Sequence, residues 1–245
     1  MKYYEKTDES HRVRRRLVTL TMGCLYLGIL VLPKTCGASE LFVGNFFGGP
    51  DLDVLRFNGS TGAFESVFVP KSSGGLTFPL GGAFGPDGNF YVSNSDNDTV
   101  LRYNGATGAF IDTFASGVSD AAGMAFGPDK NLYVANAGDP GTVTKLNGMT
   151  GAPLGEIKGG GLSDPEGIVF GPDGNLYVAN VNTNEILRFN GSTGAFIDTF
   201  VSAGSGGLLN PRDLVFGPDG NAYVTSSGNT GGVLRYNGTT GSFLN

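Results

Sequence analysis

Two turn signatures recur along the chain at a shared period in the forties, and they limit what it can fold into more than any other feature. The first, of FGPDGN type, begins at Phe84, Phe126, Phe170 and Phe216, at intervals of 42, 44 and 46 residues, with Lys130 in place of the second glycine in one copy. The second, Asn-Gly-x-Thr-Gly, begins at Asn58, Asn104, Asn147, Asn190 and Asn237. Each signature sits between short apolar runs. In the unit Asp164–Thr199, Ile168-Val169-Phe170 and Leu176-Tyr177-Val178 flank Gly171-Pro172-Asp173-Gly174, where proline presets φ and glycine accepts a positive one. Ile186-Leu187-Arg188-Phe189 and Ala195-Phe196-Ile197 flank Asn190–Gly194, and Asn-Gly between apolar runs signals a hairpin. One unit therefore supplies four antiparallel strands, A to D. Four short strands per period of forty-odd residues predict an all-β fold, a β-propeller of four-stranded antiparallel blades that bury their faces on one another.

The first 38 residues stand apart. Arg12, Arg14, Arg15 and Arg16 precede an apolar run from Leu17 to Leu32, followed by Pro33 and the small residues Cys36-Gly37-Ala38. This pattern predicts a secretory signal peptide over residues 1–38, cut after Ala38, and a propeller domain over residues 39–245. The rival is a membrane anchor, but 16 apolar residues fall short of the ~20 that a spanning helix needs. The expected location is secreted, periplasmic or at the cell surface, with no membrane contact after cleavage.

Cleavage would remove both cysteines (Cys24, Cys36) and His11, the chain's one histidine. A mature chain without Cys or His has no soft-metal site of the usual kind, no thiol nucleophile and no imidazole-based triad. Cleavage also takes seven of the 16 basic and three of the 22 acidic residues, leaving nine against 19, a net of −10. Such a surface repels nucleic acid and anionic lipid.

The absence of Trp and of a mature His removes the Gly-His and Trp-Asp landmarks of WD40 blades. What remains, PEGIVFGPDGNLYVAN followed by EILRFN, resembles the NHL-type repeat and the related propellers of virginiamycin B lyases and gluconolactonase-like enzymes. The resemblance runs from Leu41 to Leu244 and implies the propeller fold. It departs from the NHL pattern in strand C, where the basic residue (Arg56, Arg102, Lys145, Arg188, Arg235) sits one or two places late. The fold serves as binding scaffold and enzyme alike, so the resemblance implies no single activity.

Five blades are visible. The first begins at strand B (Leu41–Asn45), with no strand A expected before it, and the last stops inside strand D at Asn245. This predicts an incomplete ring, a C-terminal truncation of a longer protein; the alternative is a five-bladed ring with one three-stranded blade.

In such blades the A–B and C–D turns share one face, and the B–C and D–A loops share the other. The first face carries near-invariant turns, whereas the loops of the second differ in length and chemistry. Loops that diverge on a rigid scaffold mark the expected binding face. At its channel mouth the positions entering strand A are Leu80, Ala122, Glu166 and Arg212, with Asp213 next. Strand B ends there with Asn45, Asn94, Asn136 and Asn180, replaced by Ser226 in the last blade. Glu166, Arg212, Asp213, Asn136 and Asn180 are the candidate ligand-binding residues. Carboxylate and amide oxygens also suit Ca²⁺ or Mg²⁺, for which Glu166, Asn136 and Asn180 are the candidate ligands; the gluconolactonase resemblance implies such a metal, whereas a repeated strand-end Asn more often satisfies backbone groups. Asp87, Asp129, Asp173 and Asp219 are expected to shape turns, and the strand C basic residues to pair across strands with acids such as Asp112 and Asp198.

Three functions fit. The first is an exported, non-catalytic propeller that binds a protein partner, a small molecule or a carbohydrate through its loop face. The second is a metal-assisted lactonase or lyase of the resembled kind; the lyases imply a histidine base that the mature chain does not offer. The third is a structural module of a larger surface protein. No catalytic residue is assigned.

Overall fold

A computed structural model describes residues 29–32, 40–45, 52–228 and 231–245, the first group as backbone alone. Of the expected signal segment, residues 1–28 and 33–38 lie outside the described residues. The described residues form five antiparallel sheets, arranged as the blades of a β-propeller. Blade 1 contains β1 (Ile29–Leu32), β2 (Glu40–Asn45), β3 (Asp53–Asn58) and β4 (Phe64–Val69). Blade 2 contains β5 (Pro79–Phe84), β6 (Phe90–Asn94), β7 (Thr99–Tyr103) and β8 (Phe110–Ser116). Blade 3 is β9 (Ala121–Phe126), β10 (Leu132–Asn136), β11 (Thr142–Leu146) and β12 (Pro153–Ile157). Blade 4 is β13 (Pro165–Phe170), β14 (Leu176–Asn180), β15 (Glu185–Phe189) and β16 (Phe196–Val201). Blade 5 has β17 (Pro211–Phe216), β18 (Ala222–Ser226) and β19 (Gly232–Tyr236), with strand D reduced to a single bridge between Tyr236 and Phe243. Among the described residues no helix is long and apolar enough to cross a membrane.

One expectation is corrected. Ile29–Leu32 pairs antiparallel with Glu40–Val43 and takes the strand A edge of blade 1, which the sequence reading left vacant. The physical reason is that a four-residue Ile-Leu-Val-Leu run fits a buried strand as well as an apolar signal core, and periodicity cannot separate the two.

Each turn closes through its own side chains. Asn104 Oδ1 accepts the amides of Ala106 and Thr107 at 3.0 Å, and the Gly108 amide returns to the Asn104 carbonyl at 2.8 Å. Asp173 accepts the Asn175 amide at 3.1 Å on Oδ1 and the Tyr177 hydroxyl at 3.0 Å on Oδ2. The same Asp-to-Tyr bond recurs at Asp87–Tyr91, Asp129–Tyr133 and Asp219–Tyr223. The turn aspartates thus shape turns as expected, and each also satisfies the one polar atom of a tyrosine, whose ring at Tyr91, Tyr133 and Tyr177 goes to the blade interface.

That interface is repeated. Phe42, Tyr91, Tyr133 and Tyr177 of strand B each meet the phenylalanine opening the next blade's first turn: Phe84, Phe126, Phe170 and Phe216, at centroid separations of 5.1, 5.0, 4.9 and 4.9 Å in edge-on geometry. The last glycine of the Asn-Gly-x-Thr-Gly turn belongs to the same contact. Gly108, Gly151 and Gly241 have φ of 71°, 72° and 70°, and a Cβ there would sit 1.8–1.9 Å from the carbonyl oxygen of Phe68, Phe114 or Phe200 in the preceding blade. These positions need glycine twice over, for the backbone and for the approach.

The array has a seam. Gly62, the counterpart in blade 1, meets nothing within 4 Å, and Val233 in blade 5 is 61% exposed where Val100, Val143 and Ile186 are fully buried. Among the described residues, no strand of blade 1 packs on a strand of blade 5 as neighbouring blades pack on each other elsewhere.

Candidate functional site at the mouth of the channel

Strands A of the blades run side by side around a channel of about 360 Å³. Their close approach depends on a glycine at one position of β5, β9 and β13. A Cβ on Gly81 would lie 2.5 Å from the Ala122 carbonyl oxygen, on Gly123 2.4 Å from that of Glu166, and on Gly167 2.6 Å from the Asp213 Cα. In β17 the same position holds Asp213, in the blade whose forward side no described strand covers.

Of the 25 described residues that line the cavity, three are charged (Glu166, Arg212 and Asp213) and the others are apolar or glycine. All three come from the first half of β13 or β17, the half reached from the D–A loops. Glu166 and Arg212, 46 residues apart and so one repeat period, form an ion pair between adjacent blades, Arg212 Nη1 donating to Glu166 Oε1. Both side chains are largely buried, at 22% and 21% exposure, so each needs the other to offset its desolvation.

Asp213 is placed differently. Its amide donates to Thr225 Oγ1 at 2.8 Å, and its Oδ1 accepts the Leu214 amide at 2.8 Å. Protein surrounds the carboxyl, which keeps part of its surface towards the cavity; burial raises its pKa from 3.8 to about 7, with the Leu214 amide opposing weakly.

The structure brings Glu166, Arg212 and Asp213 together and separates Asn136 and Asn180 from them. Asn136 Nδ2 donates to the Ser119 carbonyl at 2.9 Å, and its Oδ1 accepts the Thr144 amide and hydroxyl at 3.2 and 2.8 Å. Asn180 Oδ1 accepts the Ser163 amide at 2.8 Å, while its Nδ2 donates to the Gly161 carbonyl and to Thr183 Oγ1 at 2.9 and 2.6 Å. These asparagines, with Asn94 on Thr77, Phe78 and Gly75, tie the D–A loop to the end of strand B. Neither Asn136 nor Asn180 lines the cavity. The metal set suggested by Glu166, Asn136 and Asn180 is therefore not assembled: one member is ion-paired and two are engaged with the loops. Among the described residues, no group of three or more His, Cys, Asp or Glu could hold a metal ion.

Sequence reasoning missed the Glu166–Arg212 pair. Its signal was present, since acid and base occupy equivalent positions of consecutive repeats and consecutive inner strands are neighbours. On the outer part of the blades the expected pairs form: Arg102 Nε to Asp112 and Arg188 Nε to Asp198, each at 3.0 Å.

The stacked four-stranded unit, with its paired turns, is now fixed by geometry as well as by sequence. Residues 162–189 match the family model of the NHL repeat. Among curated proteins none matches the chain in sequence. Among solved structures the chain resembles one in the nidogen/laminin complex (TM-score 0.68, 15% identity, 89% of this chain and 80% of that one). It also resembles a protein of unknown function from Bacteroides caccae (TM-score 0.61, 18% identity, 85% and 72%). A third is virginiamycin B lyase from Staphylococcus aureus (TM-score 0.58, 15% identity, 86% and 67%). At such identities the likeness is one of fold: all share the propeller.

Proposed function

We propose that this is an exported, non-catalytic β-propeller that binds a small ligand at the channel mouth on the face of the B–C and D–A loops. The observation that carries the reading is the clustering of the cavity's three charged residues, Glu166, Arg212 and Asp213, at one place in a lining otherwise apolar or glycine. A concave, mostly apolar site with a few convergent polar groups is the common form of a small-molecule pocket, and 360 Å³ falls in the usual size range. Export rests on the arginine-led apolar run before Ala38.

The lyase neighbour favours the non-catalytic form. A histidine-to-alanine variant of that lyase, solved with quinupristin, is catalytically inactive, and the one histidine of this chain, His11, precedes the propeller. A ligand-observed NMR screen of small fragments against the full chain tests the reading. Hits whose binding is lost in the triple variant Glu166→Gln/Arg212→Met/Asp213→Asn are expected. Hits indifferent to that variant, or hydrolysis of lactones or opening of cyclic depsipeptides above background, would contradict it. Calorimetry with Ca²⁺ and Mg²⁺ is expected to give no saturable binding; saturable binding abolished by Glu166→Gln would favour a metal-assisted enzyme instead.

A further inference from the structure

The channel mouth carries one acid, Asp213, that has no counter-charge among the described residues. Glu166 and Arg212 neutralise each other, whereas Asp213 Oδ1 takes the amide of the next residue and no described donor reaches the second carboxyl oxygen. The position is special within the repeat. In β5, β9 and β13 it is glycine because the following inner strand leaves no room for a Cβ, but no described strand packs in front of β17 as these inner strands pack on one another, and Asp213 lines the cavity. A carboxyl this deep costs free energy unless something pairs with it.

We propose that the cavity takes a small amphiphile bearing an ammonium group, its cation pairing with Asp213 and its apolar body lying among Leu80, Met124, Ile168 and Leu214. The proposal rests on the channel-mouth reading above and specifies its ligand class. An anion would need Arg212, whose charge Glu166 already holds. A divalent cation would want six or more oxygen ligands, and Asp213 offers two at most. A neutral alcohol could donate to the carboxyl oxygen but supplies no counter-charge to its ionised form. An ammonium supplies both donor and charge, and such charge-assisted bonds are about twice as strong as neutral ones. The apolar lining, with Met124 as its adaptable member, suits a ring or short chain behind the cation.

The test uses three probes with one body: phenethylammonium, 2-phenylethanol and 3-phenylpropanoate, titrated by calorimetry and saturation-transfer NMR into the full chain. The variants are Asp213→Asn and Asp213→Gly, the second restoring the residue found at this position in the other blades, with melting curves to show that each folds. Phenethylammonium should bind at least about tenfold more tightly than the alcohol, and both variants should lose about that factor. Equal binding of the three probes, phenethylammonium binding unchanged in Asp213→Asn, or no saturable binding of phenethylammonium would each overturn the proposal. A preference for 3-phenylpropanoate that Arg212→Met abolishes would overturn the ammonium assignment while leaving the channel-mouth reading standing, because the ligand would still be held by the same cluster.

Discussion

Asp213 is the residue whose placement has the largest measurable consequence. Its folded pKa, about 7, lies above the ordinary 3.8, so the native state holds a proton that the unfolded chain gives up. The resulting stabilisation is complete below pH 3.8 and is lost as pH rises through about 7; its ceiling is about 4 kcal/mol, reduced by water in the channel. The melting temperature of the parent chain should therefore fall between pH 4 and pH 8 relative to Asp213→Asn, and parallel curves would refute the placement. Asn180 makes the converse case. It is fully buried and its amide bonds the Ser163, Gly161 and Thr183 groups, so Asn180→Ala should cost about 2–3 kcal/mol in urea denaturation. Some of this chemistry was legible in the sequence: the turn aspartates from Pro-Asp-Gly, and the asparagines as loop clamps from their regular recurrence. The state of Asp213 was not, because it depends on which neighbouring strand is missing in front of it, and the sequence shows only that aspartate replaces glycine.

The blade owes its stability to its neighbours, and this can be measured one interface at a time. Tyr133 and Phe170 meet edge-on at 4.9 Å across the boundary of blades 3 and 4, so a double-mutant cycle to leucine should give a coupling of about 0.5–1.5 kcal/mol. No coupling would mean that the blades merely touch. Val143 and Val233 occupy the same place on β11 and β19, one fully buried and the other 61% exposed. Val143→Asp should cost at least about 3 kcal/mol and Val233→Asp less than about 0.5, a contrast read directly from thermal melts. Hairpins, turn types and the cross-strand Arg188–Asp198 pair were legible because they are set within one repeat by local chemistry. The strand over Ile29–Leu32 was not, since its apolar run also suits an export signal, whereas the stop inside the last strand D was legible and appears as the Tyr236–Phe243 bridge.

At the scale of the whole molecule, the period in the forties foretold sideways stacking around an axis, and the five blades realise it. What the period could not show is which blades lack a neighbour. Identical turn signatures give Gly62 an empty surrounding and Gly151 a carbonyl at 1.9 Å, and only the arrangement of the blades decides between them. The seam and the charged mouth follow from the same cause: no described strand packs closely in front of β17, so an aspartate fits where three glycines are otherwise required. Amide hydrogen exchange on the intact chain tests this arrangement most directly. Strands β10 and β14, covered on both sides, should be the slowest to exchange, with β2, β3, β18 and β19 opening at a free energy at least about 2 kcal/mol lower. Uniform protection across all five blades, or slowest exchange in the first and last, would contradict a stack in which each sheet is stabilised by the next and the described residues leave a seam between the first and the last.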